Sequence, residues 1–381
     1  MSVLRSISLA ERQAIKRDIL ASNDTFVAAL PKVELHVHIE GTLTPSLRWK
    51  LAQRNGMTLG LKRTGTVYHT LEQLEASYEL IVSRPGHSFN HAEERFTFFE
   101  AYYDGFEVLV TKQDFYDLAM NYFEHAASMN VRYCEPFFDP QGHTRRGVSW
   151  ATMMGGLKEA QLEAERRLKV KSKWTMCFLR DMSPESAMEH LEAALPYRDM
   201  IVGIGLDSDE YLRPPSLFEA VFSRARAEGF HLTCHCDVGQ QDTHDHIRQV
   251  ASTMGGTGAE RIDHGINAAE KPELVELIRR NGLGMTICPW AYMRHEPLDE
   301  IFPRLRVLYD AGIPVSIASD DPAYMEDSWL IHNMLVAKKM CNFTNEDMEK
   351  LTRNAVSICW APDNVKSDIL QELEAVVAAF S

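Results

Sequence analysis

The sequence predicts an α/β protein, a (β/α)8 barrel of the TIM type with a helical insertion after its first strand. Three observations lead to this prediction. Eight short apolar runs rich in β-branched and aromatic residues recur along the chain, most intervals between them show helical periodicity, and none reads as a linker. Strands that alternate with helices indicate parallel βαβ units, and eight such units favour a closed barrel over an open sheet.

The predicted strands are residues 33–39, 131–138, 174–179, 201–206, 231–236, 261–264, 284–288 and 314–318. Helical patterns such as residues 215–229 and 271–281 lie between them. The long interval after the first strand contains the helical patterns 71–83 and 96–109, so we expect a helical insertion over the barrel mouth. The tail, residues 344–381, is predicted to be helical and to close the bottom or the side of the barrel.

The composition is that of an ordinary globular protein, with 45% hydrophobic and 25% charged residues. We predict a single domain, residues 1–381, because the chain shows no internal repeat and no low-complexity stretch. The net charge of -14 argues against binding to nucleic acid or to an anionic membrane surface. No stretch approaches the roughly 20 apolar residues that span a bilayer.

Two further observations concern the compartment. The first residues lack the apolar run of a signal peptide, and seven cysteines are scattered without any C-x-x-C pair. Reduced thiols are a simpler interpretation than a disulfide framework in a chain of this length. We therefore expect a cytoplasmic protein. The sequence leaves the oligomeric state open, and a homodimer is the assembly that we consider.

Unusual polar residues fall at or just after the ends of the apolar runs. In a parallel barrel all strand carboxyl ends face one rim, and active sites form there. Residues distant in sequence would therefore converge at one mouth. The residues in question are His36, His38, Ser208, His235, Asp237, His264, Asp320 and Asp321.

A metal site is the first prediction from this convergence. His36 and His38 are two residues apart on one strand, so both imidazoles point to the same side. With His235 on another strand and Asp320 at the last one, they suit one Zn²⁺ ion that keeps an open position for water. The alternative is a set of core histidines satisfied by hydrogen bonds.

Two neighbours of this set have separate roles. His264 would orient or deprotonate the attacking water, and its alternative is a structural histidine. Asp320 and Asp321 can divide the work, one on the metal and the other reaching a ligand; the alternative is an Asp-rich cap on the following turn. Cys234 and Cys236 point opposite to the histidine between them, into the barrel wall, so we do not expect them to be ligands.

Four segments, in this order, resemble the adenosine/adenine deaminase family of the amidohydrolase superfamily: LPKVELHVHIEGTL, IVGIGLDSDE, RIDHG and SIASDDPAY. The resemblance covers nearly the whole chain, from about residue 30 to residue 362. Finer features are similar to the adenine branch, which acts on the free base. These are HIEG, FFDPQGHTRRG, GLDSDE and DPAY.

The resemblance implies a role for each site residue. His264 would act on the water, Asp321 would contact the purine N7 edge, and Ser208 would line the base pocket near N3 and N9. Glu40, in HIEG, is expected on the substrate side of the site. Zinc would be held by His36, His38, His235 and Asp320.

One departure from the family pattern concerns the general acid. Family members carry H-A-G-E on the fifth strand, and that glutamate protonates the purine ring; here residues 235–238 read H-C-D-V, so Val238 stands in its place. Attack at C6 pushes electrons onto N1, and removing a positioned acid costs about 10²–10⁴ in rate. Asp237, which has the parity to face inward, Glu210, Gln240 or another group would replace it, or the reaction differs.

The predicted function is therefore zinc-dependent hydrolytic deamination in purine metabolism. The substrate would be a small purine-like molecule, adenine or an N6-substituted adenine, releasing ammonia or an amine. Free bases are expected over nucleotides, since the rim shows no basic cluster apart from the candidates Arg145, Arg146 and Arg294. Two alternatives stay open: an amidohydrolase acting on another heterocycle, a lactone or an amide, and a metal-binding relative without turnover.

Overall fold

The computed structural model describes residues 6–61, 65–82 and 96–380 of the chain. Its central element is a barrel of parallel strands, three of which are interrupted and are given in two parts. The strands are β1 (Lys32–Glu34), β2 (Val131–Cys134 and Phe137–Phe138), β3 (Lys171–Ser172 and Trp174–Leu179), β4 (Ile201–Asp207), β5 (His231–Leu232 and His235–Cys236), β6 (Arg261–His264), β7 (Gly284–Ile287) and β8 (Val315–Ile317).

The strands pair in parallel with their neighbours in chain order from β1 to β8. The ring closes between β8 and β1, where Val37 forms a parallel bridge with Asp320. There the backbone N–H of His38 donates to the carbonyl of Asp320 at 2.9 Å, and the N–H of Asp320 donates to the carbonyl of His36 at 3.0 Å. The closed ring of eight parallel strands confirms the predicted barrel.

The interruptions are a difference from the predicted continuous runs. In β2 the break includes Pro136, which has no N–H to donate to the ladder. In β1 regular pairing ends at Glu34 and continues only as single bridges at Val37 and His38. The apolar runs predicted where the strands lie, and the pairing partners decided how much of each run is regular.

The amino ends of the strands are covered by the tail of the chain. Between the helices Asn345–Ile358 and Asp363–Phe380, Trp360 lies under the barrel, with the Arg261 guanidinium 3.5 Å from its ring centroid. A Cβ atom on Gly203 would come within 2.2 Å of the Trp360 ring, so only glycine permits this approach. The tail thus closes the bottom of the barrel, as predicted; residue 381 lies outside the described residues.

Helices surround the barrel, and several begin at a serine or threonine whose hydroxyl accepts a backbone N–H, as at Ser149, Ser183 and Thr344. Two precede β1, Leu9–Ala21 and Thr25–Ala29. No described helix combines the length and the apolar composition needed to cross a bilayer. The helices that follow β2 are Pro140–Thr144, Trp150–Glu163, Pro184–Ala194, Glu219–Ala227, Thr243–Ser252, Pro272–Asn281, Pro289–Met293, Leu298–Asp310 and Leu330–Met340.

The insertion between β1 and β2 is mainly helical, with two small two-stranded elements, Gly60–Leu61 with Thr66–Val67 and Ile81–Val82 with Phe96–Thr97. The helix predicted at 71–83 ends at Glu79, because a short strand follows; residue 83 lies outside the described residues. The helix predicted from residue 96 begins two residues later, where Thr97 caps it. The helices of the insertion are Pro45–Arg54, Leu71–Glu79, Phe98–Gly105 and Lys112–Ser128.

Candidate active site

Four of the predicted residues meet at the carboxyl end of the barrel. One ligand atom from each of His36, His38, His235 and Asp320 lies within 4.8 Å of the others, and all four residues are buried. The Nε2 atoms of His38 and His235 are 3.0 Å apart. Asp320 Oδ1 lies 3.2 Å from His36 Nε2 and 3.6 Å from His38 Nε2. We call these four residues the quartet.

The chemistry of the quartet fits a divalent cation. His36 Nε2 is buried without a hydrogen-bond partner, and the facing nitrogens of His38 and His235 cannot both donate to each other. Burial, followed by the neighbouring imidazoles, lowers the pKa of His235, and burial is also the main cause that lowers the pKa of His38 to about 3. The imidazoles of His38 and His235 are therefore neutral, with lone pairs that a cation would satisfy.

His264 lies beside the quartet, and a hydrogen bond at its Nδ1 atom orients the ring. Its Nε2 is 3.9 Å from Asp320 Oδ2, and its Nδ1 is 3.0 Å from the hydroxyl of Tyr292. That hydroxyl accepts the backbone N–H of Cys288 at 3.0 Å, so its own proton is available for Nδ1. The neutral imidazole then carries its proton on Nε2, facing the quartet. Sequence reasoning did not identify Tyr292.

Three of the predicted residues have left-handed backbone conformations. The φ angles are +71° at Ser208, +62° at His264 and +66° at Asp320. Such angles are uncommon outside glycine, and strained backbone of this kind is found preferentially at functional sites. Ser208 directly follows β4, His264 ends β6, and Asp320 forms the single bridge to Val37 three residues after β8, so all three lie at the mouth of the barrel.

A cavity of about 280 Å³ opens beside the quartet. One wall is aromatic and comes from the helix Phe98–Gly105, so the insertion covers the mouth as predicted. Tyr102 and Tyr103 on this helix contact the polar wall: the Tyr102 hydroxyl donates to Asp139 Oδ2 at 2.8 Å, and the Tyr103 hydroxyl lies 2.6 Å from Ser208 Oγ. The cavity thus has aromatic rings on one side and polar groups on the other.

Asp321 and Glu40 were both predicted to contact the substrate, and of these two the structure places only Asp321 in the cavity wall. Asp321 lines the cavity, and its Oδ1 is buried without a hydrogen-bond partner. A Cβ on Gly41 would come within 2.1 Å of that oxygen, so the glycine of HIEG permits the close approach. Glu40 is not among the residues of the cavity wall; its Oε1 accepts the backbone N–H of Asp139 at 3.2 Å and contacts His143 Nε2 at 2.8 Å.

Two carboxyl groups that sequence reasoning did not single out, Asp139 and Asp207, form part of the cavity wall. Burial, followed by the negative charge of Glu40, raises the pKa of Asp139 to about 8. Asp207 Oδ2 lies 3.5 Å from His38 Nδ1, on the side of the ring opposite to the quartet. Their positions could have identified them from the sequence, since Asp139 in FFDPQ directly follows β2 and Asp207 in GLDSDE ends β4.

Val238, at the position where the resemblance predicts a glutamate, lines the cavity. Asp237 lines it too, with its Oδ1 accepting the N–H of Val238 at 2.7 Å. Burial alone would raise the pKa of Glu210, but Arg180, 2.9 Å away, and His246 lower it. Glu210 is therefore ionised, and its Oε1 accepts the backbone N–H of Asp237 at 2.7 Å.

Cysteines near the site do not offer thiolates. Cys288 lies within 4.8 Å of His36, His264 and Asp320, but burial raises the pKa of its thiol well above the usual value. Cys234 is turned away from the quartet and contacts Arg180 Nη2 at 3.1 Å. The cysteines beside the metal-ligand candidates thus behave as buried apolar residues.

A sequence model of the adenosine deaminase family, described as "Adenosine deaminase", matches residues 31–376. The chain belongs to the adenosine deaminase family. The match covers all eight strands and the whole quartet, so the resemblance seen in the four sequence segments is confirmed.

Members of this family are similar to the chain over most of their length. An uncharacterized deaminase of Schizosaccharomyces pombe is 40% identical over 94% of the chain and 98% of its own length. An adenine deaminase of Rhodospirillum rubrum is 37% identical over 94% of the chain and 100% of its own length. The crystal structure of an adenine deaminase from Arthrobacter aurescens superposes with a TM-score of 0.79 at 33% identity, covering 92% of this chain and 99% of that one.

Proposed function

We propose that this chain is a metal-dependent hydrolase that deaminates an adenine-type base, adenine or an N6-substituted adenine, and releases ammonia or an amine. The observation that carries the proposal is the buried quartet beside a cavity that holds both His264 and Asp321. The similarity to proteins named adenine deaminases supports the choice of base.

We assign one zinc ion per chain to His36, His38, His235 and Asp320, because three imidazoles and one carboxylate form a donor set that zinc prefers. An ion bound there lowers the pKa of a water molecule and supplies hydroxide at neutral pH. His264, with its proton on Nε2, would orient the attacking oxygen by hydrogen bonding. The sequence left two roles open for His264, to orient the water or to deprotonate it. A proton already on Nε2 favours the orienting role.

The cavity walls support a planar base. The aromatic rings of the helix Phe98–Gly105 offer a stacking surface. On the polar side, Asp321 would face the N7 edge of a purine whose C6 points to the quartet, and Ser208 would lie near N3 and N9. Glu40 would act on the base only indirectly, by holding the Asp139 segment of the wall.

Asp237 is our candidate for protonation of the ring. Glu210 is paired with Arg180 and ionised, so it is a poor proton donor, and an amide such as Gln240 is not an acid. Asp237 is a carboxyl group on the cavity wall directly before Val238, and Glu210 holds its backbone in place.

The charge of the cavity supports a neutral base over a nucleotide. Eight acidic side chains line it, and no lysine or arginine of the described residues does. Arg146 and Arg294 are engaged, the former with the carbonyls of Gly142 and Leu109 and the latter with Glu326. Arg145, the third candidate, lies 4.8 Å from the ring centroid of Tyr103.

The assembly and location are also proposals. A homodimer stays a prediction. The cytoplasmic location is supported by the seven cysteines, all of which are unpaired.

A spectrophotometric screen tests the proposed function. The enzyme is offered purines, N6-alkyl purines, nucleosides and pterins, and loss of absorbance at the adenine band supports deamination. Turnover of non-purines alone would replace the proposal with a different amidohydrolase reaction, the alternative that Val238 in the cavity wall favours. Bound metal without any turnover would indicate a non-catalytic relative.

Two substitutions test the acid. Asp237→Asn should lower the rate about 10²-fold or more with metal content unchanged, because an amide cannot donate the proton. Val238→Glu restores the family pattern and should raise the rate on adenine. If Asp237→Asn leaves the rate intact and Val238→Glu does nothing for adenine, the chemistry is not purine deamination of the family type.

A further inference from the structure

Asp263, one residue before His264, is a fully buried carboxylate between three strands. In the parallel ladder it is paired with His235 on β5 and with Thr286 on β7. The hydroxyl of Thr233 donates to its Oδ2 at 2.6 Å, and the hydroxyl of Thr286 donates to its Oδ1 at 2.8 Å. Each oxygen of the carboxylate is therefore held in place by one threonine hydroxyl.

Thr286 connects Asp263 to the quartet by hydrogen bonds. Because its proton is committed to Asp263, its oxygen acts as the acceptor for His36 Nδ1, which lies 2.9 Å away. His36 then carries its proton on Nδ1 and turns the lone pair of Nε2 toward the other ligands. The hydrogen-bond chain runs from His36 through Thr286 to Asp263.

The same carboxylate lies close to a second histidine of the quartet. Its Oδ2 is 3.5 Å from His235 Nδ1, and its Oδ1 is 3.8 Å from His36 Nδ1. A negative charge on this side favours a proton on Nδ1 of both rings, which leaves both Nε2 atoms free to bind a cation. One carboxylate thus serves two imidazoles from different strands.

We infer that Asp263 is a positioning residue that sets the tautomer and orientation of His36 and His235 for metal binding. The inference rests on the metal site of the proposed function but on no particular substrate. Carboxylates behind metal-ligating histidines fix the ring orientation and raise the basicity of the ligand, and their removal typically weakens metal binding about 10–100-fold. The competing explanation is that Asp263 only ties β5, β6 and β7 together.

The test is an equilibrium titration of metal-free protein with Zn²⁺ in competition with a chelating indicator. Asp263→Asn should bind about 10–100-fold more weakly than wild type. Asp114→Asn is the matched control: Asp114 is also a buried carboxylate that accepts a threonine hydroxyl, from Thr111 at 2.9 Å, but it belongs to the insertion helix Lys112–Ser128. This control should lose stability without loss of zinc affinity.

Two threonine variants keep the inference testable if Asp263→Asn folds poorly. Thr286→Val breaks the chain to His36 and should weaken zinc binding clearly. Thr233→Val removes a donor to Asp263 and leaves that chain intact, so its effect should be smaller. A purely structural role predicts similar losses of thermal stability in both metal-free variants and unchanged zinc affinity.

The outcomes separate this inference from the proposed function. Zinc affinity of Asp263→Asn and Thr286→Val within about threefold of wild type overturns the inference and leaves the proposed activity untouched. A wild-type protein that binds no divalent ion overturns the metal site itself. Weakened binding in both variants, with wild-type affinity in Asp114→Asn, supports Asp263 as the positioning residue.

Discussion

Tyr292→Phe should slow the reaction without removing the metal. The hydroxyl of Tyr292 accepts the backbone N–H of Cys288 and lies 3.0 Å from His264 Nδ1, and the residue is fully buried. Its removal frees His264 to change tautomer, so the Nε2 proton no longer points to the quartet. A neutral hydrogen bond contributes about 0.5–1.5 kcal/mol, which corresponds to roughly a 2- to 13-fold fall in kcat.

The same substitution should also destabilise the fold. The N–H of Cys288 loses its acceptor in a buried position, and an unsatisfied buried group costs about 1–3 kcal/mol. The assays are steady-state kinetics, metal analysis and urea unfolding. We expect KM and metal content close to wild type, a lower kcat and a lower free energy of unfolding.

Tyr309→Phe is the matched control for this prediction. The Tyr309 hydroxyl donates to Asp347 Oδ1 at 2.6 Å on the outer helix Leu298–Asp310, so its loss should affect stability but not kcat. Unchanged kcat in Tyr292→Phe would refute the assignment of the His264 tautomer. A fall in kcat that follows loss of metal would show a structural effect instead.

Three further predictions concern metal, substrate and pH. Elemental analysis should find about one equivalent of zinc, lost in His36→Ala or Asp320→Ala together with activity; metal-free wild type that turns over in the presence of chelators would contradict this. Free bases should have a higher kcat/KM than AMP, since acidic groups line the cavity, and than adenosine, since Ser208 is assigned to the N9 side where a ribose is attached; adenosine exceeding every base would contradict it. Glu210, whose pKa is lowered when folded, stabilises the protein above about pH 4.3. The unfolding free energies of wild type and Glu210→Gln should therefore differ at pH 7 and converge as acid protonates Glu210.

The barrel could be predicted because its signals are local. Apolar runs of strand length and helical patterns between them are properties of neighbouring residues, and the rule that parallel strands share one carboxyl rim then places their ends together. The pair His36 and His38 is the clearest case, since residues two apart in a strand point the same way. Their distance to His235 and Asp320 follows from closure of the ring.

The residues behind the site were not predictable in the same way. Asp263 was not singled out from the sequence. The role of a single acidic residue on a strand depends on which side chains of other strands contact it. Its partners Thr233 and Thr286 come from the two adjacent strands, and their register is set only when the barrel closes. Tyr292 was missed for the same reason, since its contact with His264 joins the helix Pro289–Met293 to the end of β6.

The sequence by itself determined the fold class, the family and the quartet with His264 beside it, but not Asp139 and Asp207 in the cavity wall. It also showed that Val238 stands where the family has a glutamate. Only the tertiary structure decided how neighbouring groups share protons, as where Arg180 keeps Glu210 ionised. The proposal that Asp237 protonates the ring draws on this ion pair. The physical reason is that strand periodicity is carried by adjacent residues, whereas ionisation and tautomer depend on burial and on charges that the fold brings together from distant parts of the chain.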